Sequence, residues 1–352
     1  MDKITVAVIG CGRIADSAHF PALSKMKDVE IKYACDIIES KAKDKVEKFG
    51  ARYAITDYKV ALADPEVDAV YVLTPNYSHY TITMDALEAG KHVFCEKPIT
   101  VNYELSCEMA KKAEEKGKQL VIGVCNRYHR TVETIEEMNR TGKLGKIYHI
   151  YCSFRAHRSI PGLGGPFTIK AQSGGGVLID WGVHFFDLIL YILGGAKIES
   201  VSADAYSEMA KDIKSYVYRD MWAGPPVLDG INDVEDFITG YIRTDKASIS
   251  FNGAWAQNIE KNEMFIDFLG DKGGIRMDYC GYFTYYTVEN GQFVQDRPQY
   301  DIPNMYERED ADFIKAIRTG ERTRNHIEKV LESAKLLDFI YKSAEEKKEI
   351  RV

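Results

Sequence analysis

Short apolar runs alternate with amphipathic stretches from Ile4 to about Gly123. Residues 4–9, 30–35, 69–73, 92–95 and 119–124 are compact and largely apolar, the pattern of buried strands. Helices are expected near 40–48, 77–89 and 102–116; in the second, Ile82, Ala86 and Leu87 share one face before Gly90 stops it. Strands alternating with helices predict a parallel sheet covered on both faces. Beyond Gly123 the period changes. An amphipathic helix ends near Thr141-Gly142, residues 147–154 read as a long strand, and 155–176 read as a loop rich in Gly and Pro. A helix then runs to Leu193 and stops at Gly194-Gly195. Within 247–255, Ile249, Phe251, Gly253 and Trp255 alternate with Ser248, Ser250 and Asn252; 237–243 and Met264, Ile266 and Phe268 repeat the theme. The expected fold is α/β: a doubly wound parallel sheet over 1–123, then an α+β domain over 124–352 with a large, mostly antiparallel, open sheet. Helices over 306–319 and 327–341 close the chain.

A length of 352 residues fits that two-domain division. With 45% hydrophobic and 28% charged residues the composition is that of a globular protein, and a net charge of −7 argues against nucleic acid as a partner. The seven cysteines are scattered without a C-x-x-C pair, which favours free buried thiols over disulfides or zinc, and no metal is expected. Met1-Asp2-Lys3 leads straight into a strand, so no signal peptide is expected. No apolar run approaches the roughly 18 residues of a membrane span. A cytoplasmic location follows as an expectation, with no membrane partner.

The first strand ends in Gly10-x-Gly12-x-x-Ala15 and opens a helix. A turn of this kind needs a glycine to bend, a second to admit a pyrophosphate, and a small third residue for helix–strand packing. Asp36 ends the next strand about 20 residues on, where an acid binds ribose hydroxyls and repels a 2′-phosphate. The cofactor expected is therefore NAD, with NADP disfavoured. The competing reading of Asp36 is a turn residue capping the next helix.

Two more segments fall at carboxyl ends of strands, where ligands bind in such sheets. They are Thr74-Pro75-Asn76-x-x-His79 and Glu96-Lys97-Pro98; each also reads as a capped turn. Further on, Asp180 and His184 stand four apart, so on a helix they share a side. That spacing lets a carboxylate hold an imidazole, whose ordinary pKa of about 6.5 suits proton transfer. An N-cap beside a satisfied histidine is the plainer reading, and a metal pair lacks a convincing third ligand.

Gly10-x-Gly12-Arg13-Ile14-Ala15, then T-P-N-x-x-H, then E-K-P, in this order, resemble the Gfo/Idh/MocA family of NAD(P)-dependent oxidoreductases, the glucose–fructose oxidoreductase, inositol dehydrogenase and rhizopine-catabolism group. Ser173-Gly174-Gly175-Gly176 followed by Asp180-x-Gly182-x-His184 resembles its second signature, so the likeness spans nearly the whole chain. The resemblance implies NAD bound by Gly10, Gly12, Arg13, Ile14, Asp36, Thr74, Pro75, Asn76, His79, Glu96, Lys97 and Pro98. It implies a catalytic trio of Lys97, Asp180 and His184, and a Pro98 that is often cis in relatives.

Substrate contacts are expected from Asn126, Arg127, His157 and Arg158, the arginines being equally readable as structural ion-pair partners; Phe167 or Lys170 is expected near the cofactor. The activity implied is hydride transfer between nicotinamide and a secondary alcohol of a sugar, cyclitol or glycoside. The alternatives are an NAD-recycling glycoside-cleaving enzyme and a non-catalytic dinucleotide-sensing regulator. Relatives associate through the open sheet, which implies a homodimer or homotetramer. The aromatic segment 207–233 reads equally as a lid, an interface arm or an ordered loop.

Overall fold

A computed structural model describes residues 3–219 and 221–352, so Asp220 of the aromatic segment, with Met1 and Asp2, lies outside the described residues. The chain forms two compact units, one of residues 1–128 and 303–331, the other of 129–302 and 332–352.

The first unit holds strands β1 (Ile4–Ile9), β2 (Val29–Cys35), β3 (Tyr53–Ile55), β4 (Ala69–Val72), β5 (His92–Glu96) and β6 (Leu120–Gly123). All pair in parallel in the order β3-β2-β1-β4-β5-β6. The order reverses between β1 and β4, the switch point outside which such sheets bind ligands. The strand Tyr53–Ile55 and the helix Tyr58–Ala63 were not expected. They are too short to show a period, although Asp57 caps that helix by accepting from the Lys59 N–H.

The expected boundary at 123 needs correction, because the chain returns to this unit. Helix Met305–Thr319 buries Phe313 and Ile314 in the core around the first sheet. The Phe313 ring meets Tyr71 and Phe94 at centroid distances of 5.5 and 5.8 Å. Such aromatic contacts add to the burial of each ring. Residues 303–331 are therefore part of the dinucleotide-binding unit. Nothing in their own periodicity says which sheet they cover.

The second unit is built on a nine-stranded sheet: β7 (Ile147–Arg155), β8 (Ile198–Tyr206), β9 (Phe237–Thr244), β10 (Ser248–Ala254), β11 (Glu263–Gly270), β12 (Gly273–Asp278), β13 (Phe283–Glu289), β14 (Gln292–Asp296) and β15 (Ile350–Arg351). Its order is β14-β13-β12-β11-β7-β10-β9-β8-β15, antiparallel except between β7 and β10. Ile249, Phe251 and Trp255 are buried as the alternation predicts. On the opposite face Ser250 stands beside Tyr151, and Tyr151 beside Asp267, which pairs with Arg276. This row is at least partly exposed, and the sheet is open on that side.

The segment Lys170–Ile192 is, by length and composition alone, long and apolar enough to cross a membrane, contrary to the expectation from the sequence. Its most apolar window is 83% buried inside the protein. Val183, Phe185, Phe186, Leu188 and Ile189 belong to the core of the second unit, so its hydrophobicity is that of a central helix.

Candidate functional site

In the first unit the glycine turn has the shape a dinucleotide requires. Gly10 has φ +96°, and a Cβ there would lie 2.4 Å from the Leu73 carbonyl oxygen. Only glycine fits. Gly12 differs: a Cβ there would meet nothing within 4 Å, so the turn is open at this residue. Ala15 is fully buried where the helix packs on the sheet. Arg13 is exposed and Ile14 packs partly against the core.

Asp36 is oriented rather than free to swing. One carboxylate oxygen accepts from the Cys11 N–H and the other from the Ile38 N–H, each at 2.9 Å. A carboxylate has about four acceptor sites, which leaves room for ribose hydroxyls. The residues present therefore fit NAD. Replacing Asp36 with Ala is expected to weaken NAD about tenfold, the worth of a charged hydrogen bond, and to narrow the NAD-over-NADP preference. Fluorescence titration with both nucleotides checks this; an unchanged ratio of dissociation constants would count against the role.

At the next strand end, Thr74, Pro75 and Asn76 retain exposed surface, and the Ser78 hydroxyl donates to Thr74 Oγ1 at 2.7 Å. His79, expected on the cofactor, is instead a structural clasp. It is fully buried, and its ring nitrogens lie 2.8 Å from the Pro98 carbonyl oxygen and 2.9 Å from the Thr74 carbonyl oxygen. Both acceptors are carbonyls, so both nitrogens donate. Burial opposes the charged ring, but Cys95 and the two carbonyls outweigh it and hold its pKa up at about 9. His79 thus ties the T-P-N turn to the E-K-P turn.

Glu96 is likewise turned inward, at 6% exposure. One oxygen lies 3.0 Å from His19 Nε2, and the other accepts the Lys97 N–H at 3.0 Å. A Cβ on Gly123 would lie 2.7 Å from that first oxygen, so only glycine leaves the carboxylate its place. The Lys97–Pro98 peptide is cis. Lys97 is partly exposed beside these two buried residues.

His19 had no part in the sequence reading. Its ring is fully buried, with Nδ1 3.0 Å from Asp310 and Nε2 facing Glu96. Burial pulls its pKa down, but the two carboxylates outweigh this and hold it at about 10. A base whose pKa is raised on folding contributes stability in full below its ordinary value of about 6.5 and loses it as pH rises to its folded value. His19 and His79 act in the same direction. Unfolding free energy is therefore expected to fall between pH 7 and 9, each ring contributing up to about 1.4 kcal/mol per pH unit within its window. Denaturant melts across that range test this; a flat profile would contradict doubly protonated rings.

Of the two roles open to Arg127, on substrate or in the structure, its contacts are structural. It is 2% exposed, and its guanidinium donates to the carbonyl oxygens of Arg324 (2.7 Å) and Lys329 (2.9 Å). It therefore clasps the returning segment 303–331. Asn126 beside it is 3% exposed.

In the second unit, Asp180 lies in a π-helical turn, Leu178–Gly182, that runs into the α-helix Val183–Ile192 carrying His184. Turns of this kind inside helices concentrate at functional sites. The Trp255 indole N–H donates to the Asp180 carboxylate at 3.3 Å. Asp180 is 8% exposed and His184 more so.

The glycines before this helix have a local reason. A Cβ on Gly175 would lie 2.0 Å from the Tyr341 hydroxyl oxygen, and one on Gly176 1.9 Å from the Glu235 carbonyl oxygen. The Glu235 carboxylate accepts from Gly176 N–H (2.9 Å), Leu178 N–H (3.0 Å) and the Tyr341 hydroxyl (2.9 Å). It caps the N–H groups that a helix start leaves without intrahelical partners. Glu235 and Tyr341 were missed because neither carries a motif.

His157 and Arg158 follow β7. Arg158 donates to the carbonyl oxygens of His157 and Gln257 and to the Asn258 side chain, stitching this segment to the one after β10. His157 donates its backbone N–H to Asn262. Phe167 stacks edge-on against Trp222 of the aromatic segment, with centroids 4.9 Å apart. Among the described residues no group of three or more His, Cys, Asp or Glu side chains is arranged to hold a metal.

Both parts of the chain match known proteins. Residues 4–124 match the model of the Gfo/Idh/MocA oxidoreductase family, NAD-binding Rossmann fold, and residues 137–352 match that family's C-terminal alpha/beta domain. The chain is 32% identical over 329 residues to D-glucoside 3-dehydrogenase of Escherichia coli K12, covering 92% of this chain and 88% of that protein. It is 27% identical over 199 residues to myo-inositol 2-dehydrogenase of Thermotoga maritima, covering 56% and 57% of the two chains. Levoglucosan dehydrogenase in complex with NADH shares the fold, with a TM-score of 0.84 at 21% identity, covering 100% of this chain and 99% of that one. With both domains matched, and with D-glucoside 3-dehydrogenase covered over most of its length, the chain belongs to the Gfo/Idh/MocA family and is an NAD-binding oxidoreductase.

Proposed function

We propose that the protein is an NAD-dependent dehydrogenase that oxidises a secondary alcohol of a sugar, cyclitol or glycoside, with a glucoside as the first substrate to test. The observation that carries the reading is the mounting of Asp180: Trp255 and the π turn fix its carboxylate four residues before His184 on one continuous helix. NAD, when bound, supplies the acceptor for the hydrogen and two electrons that leave the alcohol carbon.

His184 takes the hydroxyl proton, and Asp180 orients the imidazole and stabilises the imidazolium that results. Lys97 donates a hydrogen bond to the same oxygen and stabilises the negative charge that develops there. Support for a glucoside comes from the similarity to D-glucoside 3-dehydrogenase over most of both chains. The test is NMR analysis of methyl β-D-glucopyranoside incubated with NAD and protein. A keto-glucoside with one NADH per product is the expected result; free glucose and methanol without NADH would point instead to redox-recycled cleavage.

Self-association is part of the same proposal. The row Tyr151, Asp267 and Arg276 leaves the open sheet face able to pair with a second copy. Sedimentation should give a dimer or tetramer, and a strictly monomeric protein would remove this element.

A further inference from the structure

Behind the Lys97 turn, the first unit buries a cluster of ionisable side chains. His19 closes a π-helical turn, Ala15–His19, that begins three residues after Gly12. The rings of Phe94, Tyr71 and Tyr306 surround it at centroid distances of 5.0, 5.8 and 6.0 Å. Against it stand Asp310 at one nitrogen and Glu96 at the other; Glu309, also buried, accepts from Asn325 at 2.8 Å. Buried ion pairs add little net stability over a well-packed apolar core, because each charge is stripped of water. Their best-attested use is to select one arrangement.

The arrangement selected here is the one that presents Lys97. The imidazole is rigid, with its two nitrogens on opposite edges, so it spans two carboxylates as a flexible lysine would not. The Glu96 carboxylate it holds grips the Lys97 peptide N–H with its other oxygen. His79 fixes the far side of the turn through the Pro98 carbonyl. We infer that His19, clamped by Asp310, is a positioning residue: through Glu96 it fixes the backbone from which the Lys97 amine projects. The inference rests on the reading of Lys97 as a catalytic group. It also gives the return of helix Met305–Thr319 a function, since that helix delivers Asp310.

The test compares wild type, His19→Gln, Asp310→Asn and Lys97→Ala by thermal melting, NAD titration and steady-state kinetics with NAD and methyl β-D-glucopyranoside. Glutamine can serve only one of the two carboxylates in a given pose, whereas Asp310→Asn keeps an acceptor for His19 and guards against loss of folding. Both variants should lower kcat about tenfold or more, with the NAD dissociation constant within about twofold, as expected when a reacting group is misplaced but the cofactor site is intact. A second readout needs no substrate: the rate at which acetic anhydride acetylates Lys97 relative to the exposed Lys41, followed by mass spectrometry. It should change about threefold or more in both variants if the environment of the amine moves.

Folded His19→Gln and Asp310→Asn proteins with wild-type kcat and wild-type labelling would overturn the inference. A fully active Lys97→Ala protein would instead overturn the catalytic reading of Lys97, and the labelling ratio would then decide the positioning claim alone. If wild type does not turn over the glucoside, the labelling ratio decides in the same way.

Discussion

Replacing His184 with Ala lowers kcat by about 10²- to 10⁴-fold, the usual worth of a positioned general base, and leaves NAD affinity within a factor of about two. The cofactor contacts expected from Gly10, Gly12 and Asp36 lie on the first unit, while His184 stands on the central helix of the second. The two functions are therefore separable by mutation. Stopped-flow absorbance with saturating NAD, alongside fluorescence titration of NAD, distinguishes them. Asp180→Asn should also lose activity, since the amide keeps an acceptor for the Trp255 N–H but cannot stabilise an imidazolium. Retained turnover in His184→Ala would require a different base.

The second large effect is expected at Gly176. An Ala Cβ there would fall 1.9 Å from the Glu235 carbonyl oxygen, a backbone atom that cannot rotate away. The helix start must shift, breaking the bonds from Gly176 and Leu178 to the Glu235 carboxylate. The expected cost is about 2–4 kcal/mol of stability, in the range of overpacked or decapped sites, with activity falling because Asp180 begins two residues after Leu178. Glu235→Gln is the graded control. It keeps one acceptor but turns an amide NH₂ toward the other N–H, costing about 1–2 kcal/mol. Chemical denaturation reads both, and a Gly176→Ala protein as stable and active as wild type would show that the helix does not depend on this mount.

Much of the architecture was legible because its signals are local. The glycine turn, Asp36 and the strand–helix alternation occupy consecutive residues, and each has a periodic or steric cause that a sequence displays. What stayed hidden are partners brought together from far along the chain. Glu96 lies 77 residues from His19 and Asp310 lies 291 away, so nothing near His19 announces a charged ring. The S-G-G-G glycines were readable as a signature but not as a mechanism, since the Glu235 that needs the space is 59 residues on.

His79 shows the opposite error, and Arg127 takes the structural one of the two roles open to it. Each sits on a segment at a ligand-binding strand end or just beyond one, and the position suggested contact with a ligand. Side-chain direction decided otherwise, sending both into backbone carbonyls. Polar residues close to a binding crevice serve its walls as readily as its contents, because every buried carbonyl near it also needs a donor.

The most direct measurement of the central claim is absorbance in the NADH band, with protein and NAD, across a panel of glycosides, cyclitols and free sugars. A rise with one class, abolished in His184→Ala, is the predicted result. Turnover of a glycoside to its cleaved products with no accumulation of NADH would contradict it.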